Sequence, residues 1–482
     1  MSTTRYAALM LPFFWMACAS PEPEPEPAPT LEEEDNLDTI FSTWSDESTP
    51  EAGAPIWYAQ SLRLAGSSNK LTKMGFLEGS KSREPVVLFQ GRAQSDASTG
   101  GFRLRPGAYG ILVQFHEDVG MRFDRVLGTT ALVDAKGEPV PDAEWLILPN
   151  DETTATGDVG GWRRAYFRFS ISEAQALGTY TLRIRNAAAA PTWRLGAVVV
   201  HREGRPFWAI GHNPNSLALV RKALEEGANA VEPDLSYTTE SGTRPRNERI
   251  TVTEEGSAIK FGCPIDNFGH SKIDDYMRFL NENAPGIPVI WDAKPGGCKR
   301  EPMDYPEFAR AFVEASQRTS FDLSHSVFNI TTEAMAPVFG PLPPYVGRAW
   351  DGITVQVQDH ADAQWLAPLA KYGLTFQGLG VTPILQNTAK WTKPIATYVR
   401  SRERGQRPEK LYFWTVNSDA SMRRALDFSI DGLISDEIPK LRALLSTFPY
   451  SHMYRYAGPE DNIHQRYAPG WIQTVGSSSP DK

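Results

Sequence analysis

Polar motifs that directly follow short apolar runs recur in the second half of this 482-residue chain. Three of them together carry three carboxylates, a histidine and a lysine: Gly211-His212-Asn213, Glu232-Pro233-Asp234 and Asp292-Ala293-Lys294. Because a buried strand exposes only its ends, polar residues placed at those ends are available for chemistry. The pattern therefore predicts strands whose polar ends lie close together and form one functional site.

Segments with helical periodicity alternate with these strands from Arg205 onward. Helices are predicted over Ser216 to Glu226, from Ser271, over Tyr305 to Ser316 and over Ser421 to Asp427. Further strands are predicted at His325 to Thr331, Ile353 to Val357, Leu374 to Phe376, Lys410 to Val416 and Gly432 to Ser435. Repeated strand–helix units predict an α/β fold, a (β/α)8 TIM-type barrel over residues 203–450, with its active site at the carboxyl ends of the strands.

The preceding region, residues 48–202, lacks clear amphipathic helices. It contains short β-rich runs such as Tyr109 to Phe115, Ala165 to Ile171 and Leu195 to Val200, separated by turn residues. This spacing predicts an all-β, sandwich-like domain. A chain of this length exceeds one ordinary core, so two folded domains are expected, followed by a C-terminal tail over residues 451–482.

The N-terminal residues 1–18 have the pattern of an export signal that ends in a lipobox. The apolar stretch Ala7 to Ala17 is shorter than the about 20 residues that a spanning helix needs. Cys18 follows it and is a candidate for lipidation, with a plain secretory signal as the alternative. Residues 19–47 are rich in Pro and Glu, with a Pro-Glu alternation from Pro21 to Pro29 and an acidic run from Glu32 to Asp35, which predicts an extended tether. We therefore expect an exported protein, either secreted or a bacterial outer-membrane or cell-surface lipoprotein.

Charge and cysteine content limit the partners and the compartment. The formal net charge of −9 argues against nucleic-acid binding, because a phosphate backbone requires a basic protein face. Two cysteines remain after the signal, Cys263 and Cys298. In an oxidising compartment this pair predicts a disulfide bond, with two buried free thiols as the alternative.

The acidic residues of the strand-end motifs have the spacing of a metal site. Glu232 and Asp234 lie two apart, so their side chains point to the same face of a strand. Asp292, at the end of the next main strand, can converge on them, and hard oxygen ligands favour Mg²⁺ or Ca²⁺ over Zn²⁺. Such a cation would neutralise a phosphodiester. Salt bridges to basic neighbours are the alternative use of these carboxylates. His212 is a candidate nucleophile or general base.

Five runs of the sequence together resemble a known family, the sphingomyelinase D/phospholipase D toxins, which are related to glycerophosphodiester phosphodiesterases. The runs are Arg205 to Asn213, Glu226 to Tyr237, Val289 to Lys294, Leu411 to Asn417 and Ala457 to Asn462. The last is similar to a tail motif that plugs the far end of the family's barrel. The resemblance covers about residues 205–465 and leaves the β-rich region outside it.

The resemblance implies a role for each residue of the motifs. It makes His212 the first catalytic histidine, Glu232, Asp234 and Asp292 the Mg²⁺ ligands, Lys294 a phosphate contact and Trp414 a wall of the headgroup pocket. It also implies displacement of the choline or ethanolamine headgroup of sphingomyelin or a lysophospholipid, often by the lipid's own hydroxyl to give a cyclic phosphate. The substrate would lie at a membrane surface, and we expect a monomer.

One position departs from the family's pattern. The family places a second histidine in a His-Gly-x-Pro-Cys-Asp stretch, whereas the corresponding residues here run from Phe261 to Asp266. Phenylalanine cannot transfer a proton, and His270 is either a substitute acid or an ordinary loop residue. Three functions therefore remain open: a phospholipase D-type enzyme, a glycerophosphodiester phosphodiesterase, and a catalytically impaired barrel that binds lipid headgroups.

Overall fold

The computed structural model describes most of the chain after residue 55. The described residues are 56–58, 62–65, 69–75, 83–89, 96–117, 131–140, 144–147, 162–185, 193–237, 250–252, 271–293, 304–351, 368–380, 398–399, 401–403, 405–468 and 471–474. Several predictions fall outside them, namely the export signal, the tether and the roles of Cys18, Phe261, Cys263, His270, Lys294 and Cys298. Within the described part of the chain, no helix is long and apolar enough to cross a membrane.

Among the described residues before 203, the elements are strands and one 3₁₀ turn, Gln175–Leu177. The strands are β1 Ile56–Tyr58, β2 Arg63–Ala65, β3 Asn69–Gly75, β4 Arg83–Phe89, β5 Asp96–Ser98, β6 Phe102–Leu104, β7 Gly107–Glu117, β8 Ala131–Asp134, β9 Glu144–Ile147, β10 Trp162–Ile171, β11 Tyr180–Arg185 and β12 Trp193–Arg202.

Strands and helices alternate in the second half. The strands are β13 Arg205–His212, β14 Ala230–Glu232, β15 Asp234–Tyr237, β16 Ile250–Val252, β17 Ser271–Lys272, β18 Val289–Ala293, β19 Ser326–Ile330, β20 Gly347–Trp350, β21 Phe376–Gly380, β22 Lys410–Trp414, β23 Gly432–Ser435, β24 Tyr454–Tyr456 and β25 Ile472–Thr474. The α-helices whose bounds the structure describes are α1 Leu217–Glu225, α2 Ile273–Asn283, α3 Tyr305–Thr319, α4 Asp419–Asp427, α5 Ile438–Leu445 and α6 Tyr450–Met453. Two 3₁₀ segments are Leu323–His325 and Glu333–Phe339.

The first region is a β-sandwich, as the sequence predicted. One sheet has the order β3-β4-β12-β7-β10-β9, with β1 also on β12, and the other has the order β2-β5-β11-β6-β25, with β8 on β11. Strand β7 shows how the sequence builds the core, because its alternate residues Tyr109, Ile111, Val113 and Phe115 all pack between the sheets. Its intervening Leu112 belongs to a different core, the one shared with the barrel.

The outer face of the first sheet packs on the barrel. Leu112, Tyr166 and Val199 lie on three neighbouring strands and join the barrel's apolar core. The ring of Tyr166 meets that of Phe448 edge to face, with centroids 5.6 Å apart. The two regions therefore share buried apolar surface, which stabilises their contact.

The second region is a closed barrel of eight parallel strands, which confirms the predicted fold class. The order is β14-β13-β23-β22-β21-β20-β19-β18, and the ring closes where Val231 of β14 pairs with Val289 of β18. Strands β14 and β15 are one barrel strand interrupted at Pro233, and β15 continues the pairing with β18. The carboxyl ends of all these strands lie at one mouth of the barrel.

The structure describes one barrel strand that was not predicted from the sequence. The structure places β20 at Gly347–Trp350, which pairs with β19 on one side and β21 on the other. The sequence prediction of a strand at Ile353 to Val357 falls outside the described residues. The strand that the structure does describe is short and contains Gly347 and Arg348, so its apolar pattern is weak.

The C-terminal segment closes the opposite end of the barrel and returns to the sandwich. Ala457 and Ile463 pack among the apolar side chains inside the barrel, near Trp208 and Phe376. Farther along, Trp471 enters the sandwich core, and β25 pairs with β6. The tail therefore joins both halves of the molecule.

A network of buried charges lies where the tail, the barrel and the sandwich meet. Arg205 donates to Asp431 at 3.1 Å and to Glu403 at 2.6 Å. Arg402 contacts the same two carboxylates, and the indole of Trp471 donates to Glu403. Burial alone would raise the pKa of Glu403 and of Asp431, but the two guanidinium groups hold both pKa values below the ordinary range.

Replacing Asp431 with asparagine is expected to lower the free energy of unfolding by about 3–5 kcal/mol, because two buried guanidinium groups would then share one carboxylate. Since the folded-state pKa of Asp431 is lowered, its stabilisation is present above the pKa of the unfolded chain and is lost as pH falls through the folded pKa. Urea denaturation at several pH values measures both effects. Arg278→Ala, which breaks an exposed pair with Asp275, is the control and should cost about 0–1 kcal/mol. Equal losses in the two variants would contradict the prediction.

Candidate active site

Three buried carboxylates converge at the mouth of the barrel. Glu232 ends β14 and Asp234 begins β15, with Pro233 between them, and Asp234 pairs in register with Asp292 of β18. Each of the three offers an oxygen within 4.8 Å of those of the other two. All three side chains are buried, with Asp234 0% exposed. The structure therefore brings together the acidic residues that the sequence singled out.

Asparagine side chains and one backbone amide hold these carboxylates in place. The Nδ2 of Asn215 donates to Asp234 at 2.9 Å, and the amide of Asp234 donates back to Asn215 Oδ1 at 2.8 Å. The backbone amide of Asn213 donates to Glu232 Oε2 at 3.3 Å, and Asn213 has a φ of 45°, which asparagine tolerates better than most residues. Asn329 donates to Asp292 at 3.1 Å.

The cluster produces a strongly negative potential inside the barrel. Burial raises the pKa of Tyr276 well above its usual value, and the charges of Glu232 and Asp234 raise it further. Burial also raises the pKa of Tyr412, with further contributions from Asp351, Asp292 and Glu232. Three buried carboxylates at this spacing repel one another unless a cation neutralises them.

The donor set fits one hard divalent cation. Carboxylate oxygens are the ligands that Mg²⁺ and Ca²⁺ prefer, and oxygens on opposite sides of such an ion are about 4–5 Å apart. The 4.8 Å spread of the three carboxylates agrees with that separation. Glu232, Asp234 and Asp292 are therefore the residues that could hold a metal here.

His212 lies beside this cluster at the end of β13. Its Cα pairs in register with that of Glu232 on the neighbouring strand. The Nδ1 atom lies 2.7 Å from Asp436 Oδ1, and Nε2 lies 3.2 Å from the hydroxyl of Thr415. The imidazole is thus held between the segment that follows β22 and the segment that follows β23.

Asp436 is fixed in its position by Asn417. Asn417 donates to Asp436 Oδ2 at 2.6 Å and accepts from the backbone amide of Asp436 at 2.9 Å. Burial would raise the pKa of Asp436, but the bonds from His212 and Asn417 lower it. An ionised carboxylate only accepts hydrogen bonds, so Nδ1 of His212 is the donor to Asp436, while Nε2 faces the hydroxyl of Thr415.

Trp414 ends β22 at the same mouth and is partly exposed. Gly380 of the neighbouring β21 pairs with it, and a Cβ added at Gly380 would lie 2.0 Å from the indole ring. Only glycine leaves room for the ring in this position. The structure therefore places the aromatic residue that the sequence proposed for the headgroup pocket at the barrel mouth.

Four residues that orient the site were not predicted from the sequence: Asn215, Asn329, Asn417 and Asp436. A signal existed for Asp436, because it directly follows the apolar strand Gly432–Ser435 in the same way as the opening motifs. The three asparagines carried no such signal. The remaining predicted site residues, Lys294 and His270, lie outside the described residues, as do Cys263 and Cys298.

The barrel region of the chain is similar in sequence to proteins of known family. The family model for dermonecrotic toxin SPH matches residues 202–246 and 352–464. A dermonecrotic toxin of Loxosceles rufescens is 23% identical over 288 residues, which cover 53% of this chain and 97% of the toxin. Dermonecrotic toxin SPH of Ixodes scapularis is 22% identical over 295 residues, which cover 54% of this chain and 76% of that protein. A solved putative glycerophosphoryl diester phosphodiesterase of Silicibacter pomeroyi is 14% identical, covers 51% of this chain and 95% of its own, and has a TM-score of 0.35.

The second region is a closed parallel barrel with buried acidic residues at its mouth, and both segments that the family model matches lie largely within it. Over about half of the chain, the protein is therefore similar to dermonecrotic toxins at 22–23% identity. The resemblance drawn from the sequence motifs is confirmed.

Proposed function

We propose that the barrel is a Mg²⁺-dependent phosphodiesterase of the phospholipase D type, which removes the headgroup of sphingomyelin or a lysophospholipid. The observation that supports this most is the adjacency of two groups at one mouth. The acidic triad of Glu232, Asp234 and Asp292 suits a cation, and the His212–Asp436 pair beside it suits proton transfer. Cleavage of a phosphodiester requires both charge neutralisation and proton transfer.

His212 is the proposed general base. Its Nε2 takes the proton of the attacking hydroxyl while that oxygen forms a bond to phosphorus and the bond from phosphorus to the headgroup oxygen breaks. Asp436 accepts a hydrogen bond from the Nδ1–H group throughout, so it maintains the tautomer and stabilises the imidazolium that forms when Nε2 is protonated. When the attacking hydroxyl belongs to the lipid itself, the product is a cyclic phosphate and the free headgroup alcohol.

The remaining roles are proposed from the family resemblance. A cation held by the triad would neutralise the phosphate and stabilise the charge that develops on its oxygens. Lys294 would contact the same phosphate, and His270 would give a proton to the leaving alcohol. Trp414 offers an aromatic face, which attracts a quaternary ammonium such as choline.

Headgroup release provides the direct test of this proposal. The full-length protein is incubated with vesicles that contain sphingomyelin or lysophosphatidylcholine, and choline is measured with Mg²⁺ and with EDTA. We expect release with Mg²⁺ and loss of release with EDTA. Detection of a cyclic phosphate by ³¹P NMR would identify the lipid hydroxyl as the attacking group.

Two results would contradict the proposal in different ways. Faster cleavage of glycerophosphocholine than of either lipid would make the protein a glycerophosphodiester phosphodiesterase. No cleavage of any phosphodiester, together with measurable Mg²⁺ binding, would reduce the barrel to a headgroup-binding module.

We also propose that the protein is exported and held at a membrane surface through a lipidated Cys18, with residues 19–47 as a tether. The support is the sequence of residues 1–47. A Cys18→Ser variant should move from the membrane fraction to the soluble fraction, and continued membrane attachment of this variant would refute the tether.

A further inference from the structure

A chain of hydrogen bonds crosses the barrel interior beside the acidic triad. Tyr412 of β22 donates to Asp351 Oδ1 at 2.8 Å, and Asn329 of β19 donates its Nδ2 to Asp351 Oδ2. The same Nδ2 donates to Asp292 Oδ1 at 3.1 Å. Asn329, Asp351 and Tyr412 are all buried. The chain links one of the three acidic residues to the strand that carries Trp414.

The neighbouring strand reserves space for this arrangement. A Cβ added at Gly378 of β21 would lie 1.3 Å from Asp351 Oδ1 and 2.8 Å from the ring of Tyr412. Glycine is therefore required at this position for the Asp351 carboxylate to reach the barrel interior. Burying a carboxylate costs free energy unless it is well hydrogen-bonded. The buried position of Asp351 therefore depends on its hydrogen bonds to Asn329 and Tyr412.

Asn329 stands at the centre of the chain because its amide group serves two carboxylates. A side-chain amide has two N–H donors, and here they are directed to Asp292 and Asp351. Rotating the amide by half a turn would place its carbonyl oxygen against both carboxylates, which is repulsive. The orientation of Asn329 is thus fixed from both sides.

We propose that Asn329 is a positioning residue that sets the orientation of the Asp292 carboxylate for a divalent cation, with Asp351 and Tyr412 as its anchor. The inference rests on the proposed metal site. Groups that orient metal ligands typically change metal affinity about 10–100-fold when they are removed. Without the hydrogen bond from Asn329, the Asp292 carboxylate would turn away from Glu232 and Asp234, because all three groups are negatively charged and repel one another.

The test measures cation affinity separately from activity. Asn329→Leu keeps the side-chain volume and removes the amide that donates to Asp292 and Asp351. Tyr412→Phe removes only the hydroxyl that donates to Asp351. Mg²⁺ or Mn²⁺ is titrated into the metal-free full-length protein by calorimetry, and thermal melting without metal shows whether each variant is folded. We expect the Kd for the cation to rise about 10–100-fold in Asn329→Leu and less in Tyr412→Phe. The kcat should recover at saturating cation.

Ser326→Ala is the matched control. Ser326 lies on the same strand as Asn329, is buried, and accepts a hydrogen bond from the indole of Trp291 at 3.1 Å. Its replacement removes one buried hydrogen bond outside the chain, so the protein should lose stability while the Kd for the cation stays unchanged.

Three outcomes would overturn the inference. An unchanged Kd in folded Asn329→Leu and Tyr412→Phe variants would show that the chain does not orient Asp292. A fall in kcat that saturating cation does not restore, with an unchanged Kd, would assign Asn329 to the substrate and leave the proposed function intact. Absence of cation binding by the unmodified protein would remove both this inference and the proposed metal dependence.

Discussion

Replacing Asp292 with alanine is expected to abolish Mg²⁺ binding and to lower kcat by about 10³-fold or more. The physical reason is that a cation in this site supplies several kcal/mol of charge stabilisation in the transition state, and each 1.4 kcal/mol is tenfold in rate. Asp292 pairs in register with Asp234 and lies with it and Glu232 inside a 4.8 Å cluster, so its loss leaves two ligands. Isothermal titration and headgroup release measure the two effects.

Protein stability gives a second readout that does not depend on substrate. Without a cation, the buried carboxylates repel one another, so removing one of them should leave the metal-free protein at least as stable as before. A cation at 100 times its Kd should stabilise the unmodified protein by about 2.7 kcal/mol, because it binds only the folded state. The Asp292→Ala variant should gain nothing from the same addition.

The matched variant for this experiment is Asp292→Asn. It keeps the side-chain volume and an oxygen that can accept from Asn329, but it removes the charge. We expect weaker binding than in the unmodified protein and tighter binding than in Asp292→Ala. If both variants were stabilised by Mg²⁺ as strongly as the unmodified protein, the triad would not be the metal site.

The three carboxylates of the site could be predicted because their placement follows from short-range patterns in the sequence. Glu232 and Asp234 share a face through the two-residue repeat of a strand, and Asp292 closes the next main strand. Pro233 interrupts the ladder between β14 and β15 without changing that alternation. The parallel barrel then brings the three strand ends together, as the alternating pattern of strands and helices indicates.

The supporting residues could not be predicted because their partners are far away in the sequence. Asn329 contacts Asp292, 37 residues earlier, and Asp436 contacts His212, 224 residues earlier. An isolated asparagine or aspartate gives no indication of such a partner, since these residues are also common in turns. Their roles depend on the register of neighbouring barrel strands, which only the folded structure defines.

The position of the C-terminal segment in the fold also could not be predicted from the sequence, because its partners are far away along the chain. Its apolar residues Trp471 and Ile472 follow a long polar stretch, and a two-residue apolar pair predicts no particular partner. In the structure they complete the sandwich core, more than 300 residues from strand β6. This long-range pairing adds the C-terminal strand β25 to the sandwich sheet that contains β6.

Replacing His212 with alanine is expected to lower kcat by about 10²–10⁴-fold while the Kd for Mg²⁺ stays unchanged, because the proton acceptor is lost and the triad is not. Added imidazole should restore part of the activity, since it can enter the space and accept the proton.

Asp436→Asn provides the graded test of the same pair. Asparagine keeps the volume but removes the charged acceptor that lies 2.7 Å from Nδ1 of His212, so we expect kcat to fall about 10²-fold through loss of orientation. The control is His452→Ala, because His452 packs against Phe448 away from the carboxyl ends of the barrel strands. A His212→Ala variant with the kcat of the unmodified protein would exclude His212 as the base. A loss of the same size in His452→Ala would show that the effect is structural, since His452 has no part in proton transfer.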